Sequence, residues 1–154
     1  MKDVSNAWKN YSLFSDLLEI YKEEEKDFNN YVSELCTKYS VILFGSRARK
    51  DNKIYSDYDI LVIGNERPPL PPTDAIDVHF VKVSLIDSEI KDFNTIVIDA
   101  FYEGIILCDT LNIYEKAKNM VIERIRGLKR IKDSWEKKYE LNRRTLVTVK
   151  FIYI

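Results

Sequence analysis

Over the first 39 residues the apolar positions Trp8, Tyr11, Phe14, Leu17, Leu18, Tyr21, Phe28, Tyr31, Val32, Leu35 and Tyr39 recur at steps of three and four. That spacing returns to one side of a 3.6-residue turn and predicts amphipathic helix. The charged run at residues 23–27 interrupts the stripe, which predicts two helical pieces. At residue 41 the period changes. Val41, Ile42, Leu43 and Phe44 form an unbroken apolar run closed by Gly45, and Ile60, Leu61, Val62 and Ile63 form another. Both predict short strands buried on two faces. Residues 65–73 hold all four prolines and predict a loop.

Residues 75–83 alternate Ile76, Val78 and Phe80 against Asp77, His79 and Val81, which predicts a third strand. Residues 88–103 predict one helix stopped by Gly104, and Ile105, Ile106, Leu107 and Cys108 a fourth strand. Beyond these, Tyr114, Ala117, Val121, Ile125, Leu128, Ile131, Trp135 and Tyr139 again recur at threes and fours, predicting one long C-terminal helix. The tail at 146–154 has strand composition and would join the sheet edge or pair with another chain. The expected fold class is α/β (α+β): a small mixed β-sheet packed with helices. One domain spans 1–154, with its core at about 35–109, a helical extension at 1–34 and a basic helix and tail at 110–154.

Composition narrows the class. With 154 residues, 45% of them hydrophobic, the chain can bury a core without a staple. Cys36 and Cys108 therefore read as two small buried hydrophobes rather than a disulfide or a metal pair. Nothing resembles a signal peptide or a membrane span, so a cytoplasmic location is expected. Charge is uneven: 12 Lys/Arg stand against 20 Asp/Glu before residue 112, and 12 against 5 after it. The basic end, with Arg124, Lys129, Lys132 and Lys138, offers a nucleic-acid contact or only a solvated face. The seam of that helix, with Trp135 and Tyr139, would pack on the N-terminal helix or make a homodimer.

The chemistry concentrates between residues 41 and 77. A buried strand runs into Gly45 and Ser46, where a glycine lets backbone approach a ligand and a helix start can cradle phosphate. Arg47 and Arg49 follow. Beyond a gap of ten residues after Ser46 come Asp57, Tyr58 and Asp59, and the strand period puts both carboxylates on one face. Side-by-side carboxylates repel unless a cation lies between them, and hard ions such as Mg²⁺ suit oxygen ligands. Asp77, on a neighbouring strand, makes a third. Three carboxylates can hold two Mg²⁺ about 3.5–4 Å apart, as in-line phosphoryl displacement requires. His79 shares the strand face of Asp77 and would border the acceptor or serve only as hydrogen-bonded structure.

Together, Leu43-Phe44-Gly45-Ser46-Arg47-Ala48-Arg49 and Ser56-Asp57-Tyr58-Asp59-Ile60-Leu61-Val62 resemble the signature of the DNA polymerase β-like nucleotidyltransferase superfamily. They are most similar to its minimal archaeal and bacterial members. The resemblance implies that Gly45 and Ser46 hold a triphosphate with Arg47 or Arg49 nearby. It also implies that Asp57 and Asp59 bind two Mg²⁺, and that Asp77 binds the catalytic ion and helps deprotonate the acceptor. The implied reaction moves a nucleoside monophosphate, AMP from ATP, onto a hydroxyl. The implied acceptor is a partner protein, a helical toxin of the HEPN type that the chain would counter as antitoxin. A small-molecule acceptor such as an aminoglycoside, or a non-catalytic binding module on the same fold, are the alternatives. Lys50 departs from the pattern, which usually has glycine there; if that position needs positive φ, lysine strains the loop.

Overall fold

In the computed structural model, which describes residues 4–141 and 145–150, the two unbroken apolar runs are the central strands of a four-stranded sheet. Strand β1 (Ser40–Phe44) lies between β2 (Tyr58–Gly64) and β4 (Ile105–Asp109), antiparallel to both, while β3 (Ile76–Lys82) pairs parallel to β2 at the edge. The order is β3-β2-β1-β4, a mixed sheet as expected. Burial on both faces explains why β1 and β2 lack alternation.

Each face has its own helical cover. Helix α1 (Val4–Leu35) buries Phe28, Tyr31 and Leu35 against Val41, Tyr58, Ile60, Val62 and Ile76. The opposite face, carrying Ile42, Phe44, Leu61 and Ile63, is covered by α3 (Ile86–Lys91), α4 (Thr95–Glu103) and α5 (Tyr114–Arg124). The proline-rich loop returns across the α1 side, where Tyr31 and Tyr39 hydroxyls donate to the carbonyls of Pro69 and Arg67. Asp109 closes the far edge: its carboxylate accepts from the Ser40 hydroxyl and from the backbone N–H groups of Ile113 and Tyr114 at the start of α5. Among the described residues no helix is long and apolar enough to cross a membrane.

Four expectations need correction. Helix α1 is one piece, because Glu23, Glu24, Glu25 and Lys26 are themselves good helix formers and no glycine or proline divides them. The helix expected over 88–103 is two: Phe93 turns to φ 57°, and the Asn94 side chain accepts from the Ile96 N–H to cap α4. The long C-terminal helix is absent. Helix α5 ends at Arg124, Gly127 takes φ 78°, and the chain continues as β5 (Leu128–Ile131), β6 (Ser134–Leu141) and β7 (Thr145–Lys150) in a separate antiparallel sheet. The tail thus pairs with β6 rather than with the main sheet, and residues 151–154 lie outside the described residues. Arg124, Lys129, Lys132 and Lys138 consequently do not line one basic helix.

The cysteines are the fourth. Cys36 and Cys108 form a disulfide, with their Cα atoms 5.9 Å apart across 72 residues of sequence. Pairing of β4 with β1 carries Cys108 to the end of α1, a neighbourhood set by strand order and invisible in local spacing. Disulfides are rare in cytoplasmic proteins outside hyperthermophiles, so the bridge bears on the expected compartment.

Candidate active site

Asp59, the half-buried second residue of β2, lies opposite Phe44, the last residue of β1, and beside Asp77 on β3. Reading inward along that face, the row Phe44, Asp59, Asp77 is followed by Ile42, Leu61, His79, and Leu61 and Ile42 already belong to the core under α3–α5. The apolar face thus turns acidic at its last row. Gly45 follows directly, with φ 73°, and a Cβ there would sit 2.3 Å from Asp59 Oδ2. Glycine is required twice over, for the backbone angle and for the space the carboxylate fills.

The side chains converge. Ligand atoms of Asp59, Asp77 and His79 lie within 4.8 Å of one another, and His79 Nε2 is 3.2 Å from Asp77 Oδ2. The His79 ring is tilted against Phe44, centroids 5.5 Å apart. Burial, and then the charges of Asp77 and Asp57, push the Asp59 carboxyl above the usual range, opposed by His79 and Arg49. Asp57 precedes the strand and is exposed; it acts on Asp59 by charge and is not part of the three-residue cluster.

Helix α2 (Ser46–Arg49) is a single turn after Gly45. Arg47 does not face the acidic row. Its guanidinium donates to the Ser56 carbonyl at 2.7 and 3.0 Å and stacks 3.8 Å over the Tyr58 ring, whose other side meets Phe28. It therefore fastens the loop that delivers Asp57. Arg49 bonds Asp51 at 3.1 Å and Glu103 at 2.9 Å, and its charge still reaches Asp59. Lys50 takes φ 61°, the left-handed conformation that its usual glycine would adopt freely, and its N–H donates to the Ser46 carbonyl.

A family model described as a nucleotidyltransferase domain matches residues 25–144. The chain belongs to that family. No curated protein and no solved structure matches it significantly. The nucleotidyltransferase match extends from the last third of α1 through β6, so it includes two of the three strands of the small second sheet, β5 and β6, as well as the strands bearing the acidic row. The reaction class is nucleotidyl transfer. His79 is the member of the cluster to which sequence reasoning gave no ligand role; the signal that marks it is its two-residue step from Asp77, which gives both one strand face.

Proposed function

We propose that the protein transfers a nucleoside monophosphate, AMP from ATP, to a hydroxyl acceptor with release of pyrophosphate, using divalent cations held by Asp57, Asp59 and Asp77. The observation that carries this reading is the register that sets Asp59 beside Asp77 behind a glycine with no room for a side chain, in a chain of the nucleotidyltransferase family. A row of carboxylates in which burial, and then the neighbouring charges of Asp77 and Asp57, raise the Asp59 pKa has the donor chemistry a divalent cation needs. Such ions, Mg²⁺ by resemblance, supply electrostatic stabilisation of the charge on the transferred and departing phosphates.

The chain's own residues do the rest. Backbone at Gly45 and Ser46 gives the triphosphate close approach, and Arg49 adds positive charge on the same side. Asp77 is 56% exposed on the edge strand, placed to accept the acceptor's proton on its carboxylate. The acceptor oxygen then bonds to the α-phosphorus as the bond to the β-phosphate bridge breaks. That exposure leaves room for an acceptor as large as a protein, in keeping with a toxin partner.

The test is incubation with Mg²⁺, each α-labelled nucleoside triphosphate in turn, and lysate from the protein's own source, beside the Asp57→Asn/Asp59→Asn variant. Label from ATP should reach one discrete species with the wild type alone. Equal labelling by the variant, or none from any triphosphate, overturns the reading.

A further inference from the structure

We infer that His79 is a direct ligand, through Nε2, of the divalent cation at this site, and that it shifts the site toward a first-row transition metal such as Mn²⁺ over Mg²⁺. The inference rests on the reading above and names its cofactor more narrowly.

Three observations converge. The first is placement: on the face shared by Ile42, Leu61, Ile63 and Val81, the second row is apolar except at position 79. A polar ring where the pattern calls for a hydrophobe breaks the local rule, and such breaks concentrate at functional positions. The second is geometry. In an octahedral shell with bonds of about 2.1 Å, adjacent ligand atoms are about 3 Å apart. His79 Nε2 and Asp77 Oδ2, at 3.2 Å, already form one such edge, with an Asp59 oxygen inside the same 4.8 Å cluster. The Phe44 ring fixes the imidazole plane from the β1 side. The third is ligand chemistry. Mg²⁺ holds to oxygen and dehydrates reluctantly, whereas first-row transition ions take imidazole nitrogen beside carboxylate oxygen, least strongly Mn²⁺ and increasingly along the series; Mn²⁺, which shares the taste of Mg²⁺ for carboxylates, is the one a mixed site of two aspartates and a histidine admits most simply.

His79 is the only histidine in the chain, so imidazole coordination reports on it without ambiguity. The experiment uses the full, untagged protein loaded with Mn²⁺ alone and measures ¹⁴N coupling by pulsed electron paramagnetic resonance, with Mn²⁺ and Mg²⁺ affinities by titration. Expected are a directly bonded imidazole nitrogen in the wild type, its loss in His79→Gln, and a fall in Mn²⁺ affinity of about tenfold or more in the variant, the size typical of a lost metal-site partner. Mg²⁺ affinity should change far less. Bound Mn²⁺ with no nitrogen coupling overturns this inference and leaves the carboxylate site standing. Failure to bind either ion overturns the inference together with the proposed function beneath it.

Discussion

Asp59 carries a conflict between folding and function. Its pKa is raised in the folded chain, first by burial and then by Asp77 and Asp57, so the folded state binds that proton more tightly than the unfolded one. Stability from this group is therefore present below the ordinary carboxylate pKa and is lost as pH rises through the elevated folded value. At neutral pH the ionised carboxylate destabilises the metal-free protein. Asp59→Asn should raise the melting temperature of the metal-free protein at pH 7, shrink that gain at pH 4, and remove any melting-temperature rise on adding Mg²⁺ or Mn²⁺; calorimetry across pH checks all three. Lys50 carries a smaller strain. A left-handed lysine costs about 1–2 kcal/mol, and the extra freedom of glycine in the unfolded chain returns about 0.4–1 kcal/mol of that. Lys50→Gly should thus stabilise by about 0.5–1 kcal/mol, read as a higher urea midpoint with unchanged slope.

At the scale of elements, the second sheet is tied to α2 by charge. Glu103 on α4 lies between Arg49 of α2, at 2.9 Å, and Arg130 of β5, also at 2.9 Å. Arg130 reaches Asp99 as well, and Asp99 accepts from the Trp135 indole of β6 at 2.9 Å. Arg130 Nη1 lies close to Glu103 without hydrogen-bond alignment, so that attraction is coulombic. Removing one partner of a buried pair costs about 3–5 kcal/mol, but Arg130 and Glu103 each keep 12% of their side-chain surface exposed and Arg49 still faces Glu103. Arg130→Ala should therefore sit near the low end, about 3 kcal/mol, in chemical denaturation. These contacts also explain what the sequence could not disclose. The strands β1, β2, β3 and β4 were legible because each apolar run has the length and borders of a strand. Asp59 and Asp77 were legible because a period of two fixes their face once those strands exist. The steps Ile125, Leu128, Ile131 and Trp135 mimic a helix seam, and only Gly127 with the alternation of Trp135, Lys137, Tyr139 and Leu141 against Ser134, Glu136, Lys138 and Glu140 argues for strands. Trp135 is buried either way, against Phe93 and Tyr102, so the core residue was legible while its element was not.

For the whole molecule, the Cys36–Cys108 bridge joins the end of α1 to the edge strand β4 and closes a loop containing the entire acidic row. Loop-entropy arguments give a closure of this length about 4 kcal/mol. In a domain of this size each kcal/mol moves the melting temperature by about 2–4 °C, so reduction should lower it by about 10 °C. Scanning calorimetry with and without dithiothreitol measures this, and Cys36→Ala/Cys108→Ala should match the reduced protein. Fold and bridge together were only half legible, since strand order, which no local pattern encodes, decides which distant residues meet.

That strand order also divides the site in time. Asp59 belongs to a strand held on both sides, by β1 and β3, whereas Asp77 and His79 ride on β3, which has one neighbour. Edge strands open locally at lower free energy than central ones. Amide exchange should therefore be slow at residues 60–63 and faster at 77–81. One of the three cluster residues is anchored in the most persistent part of the molecule, and the other two sit on a strand that can part from it while the core stays folded.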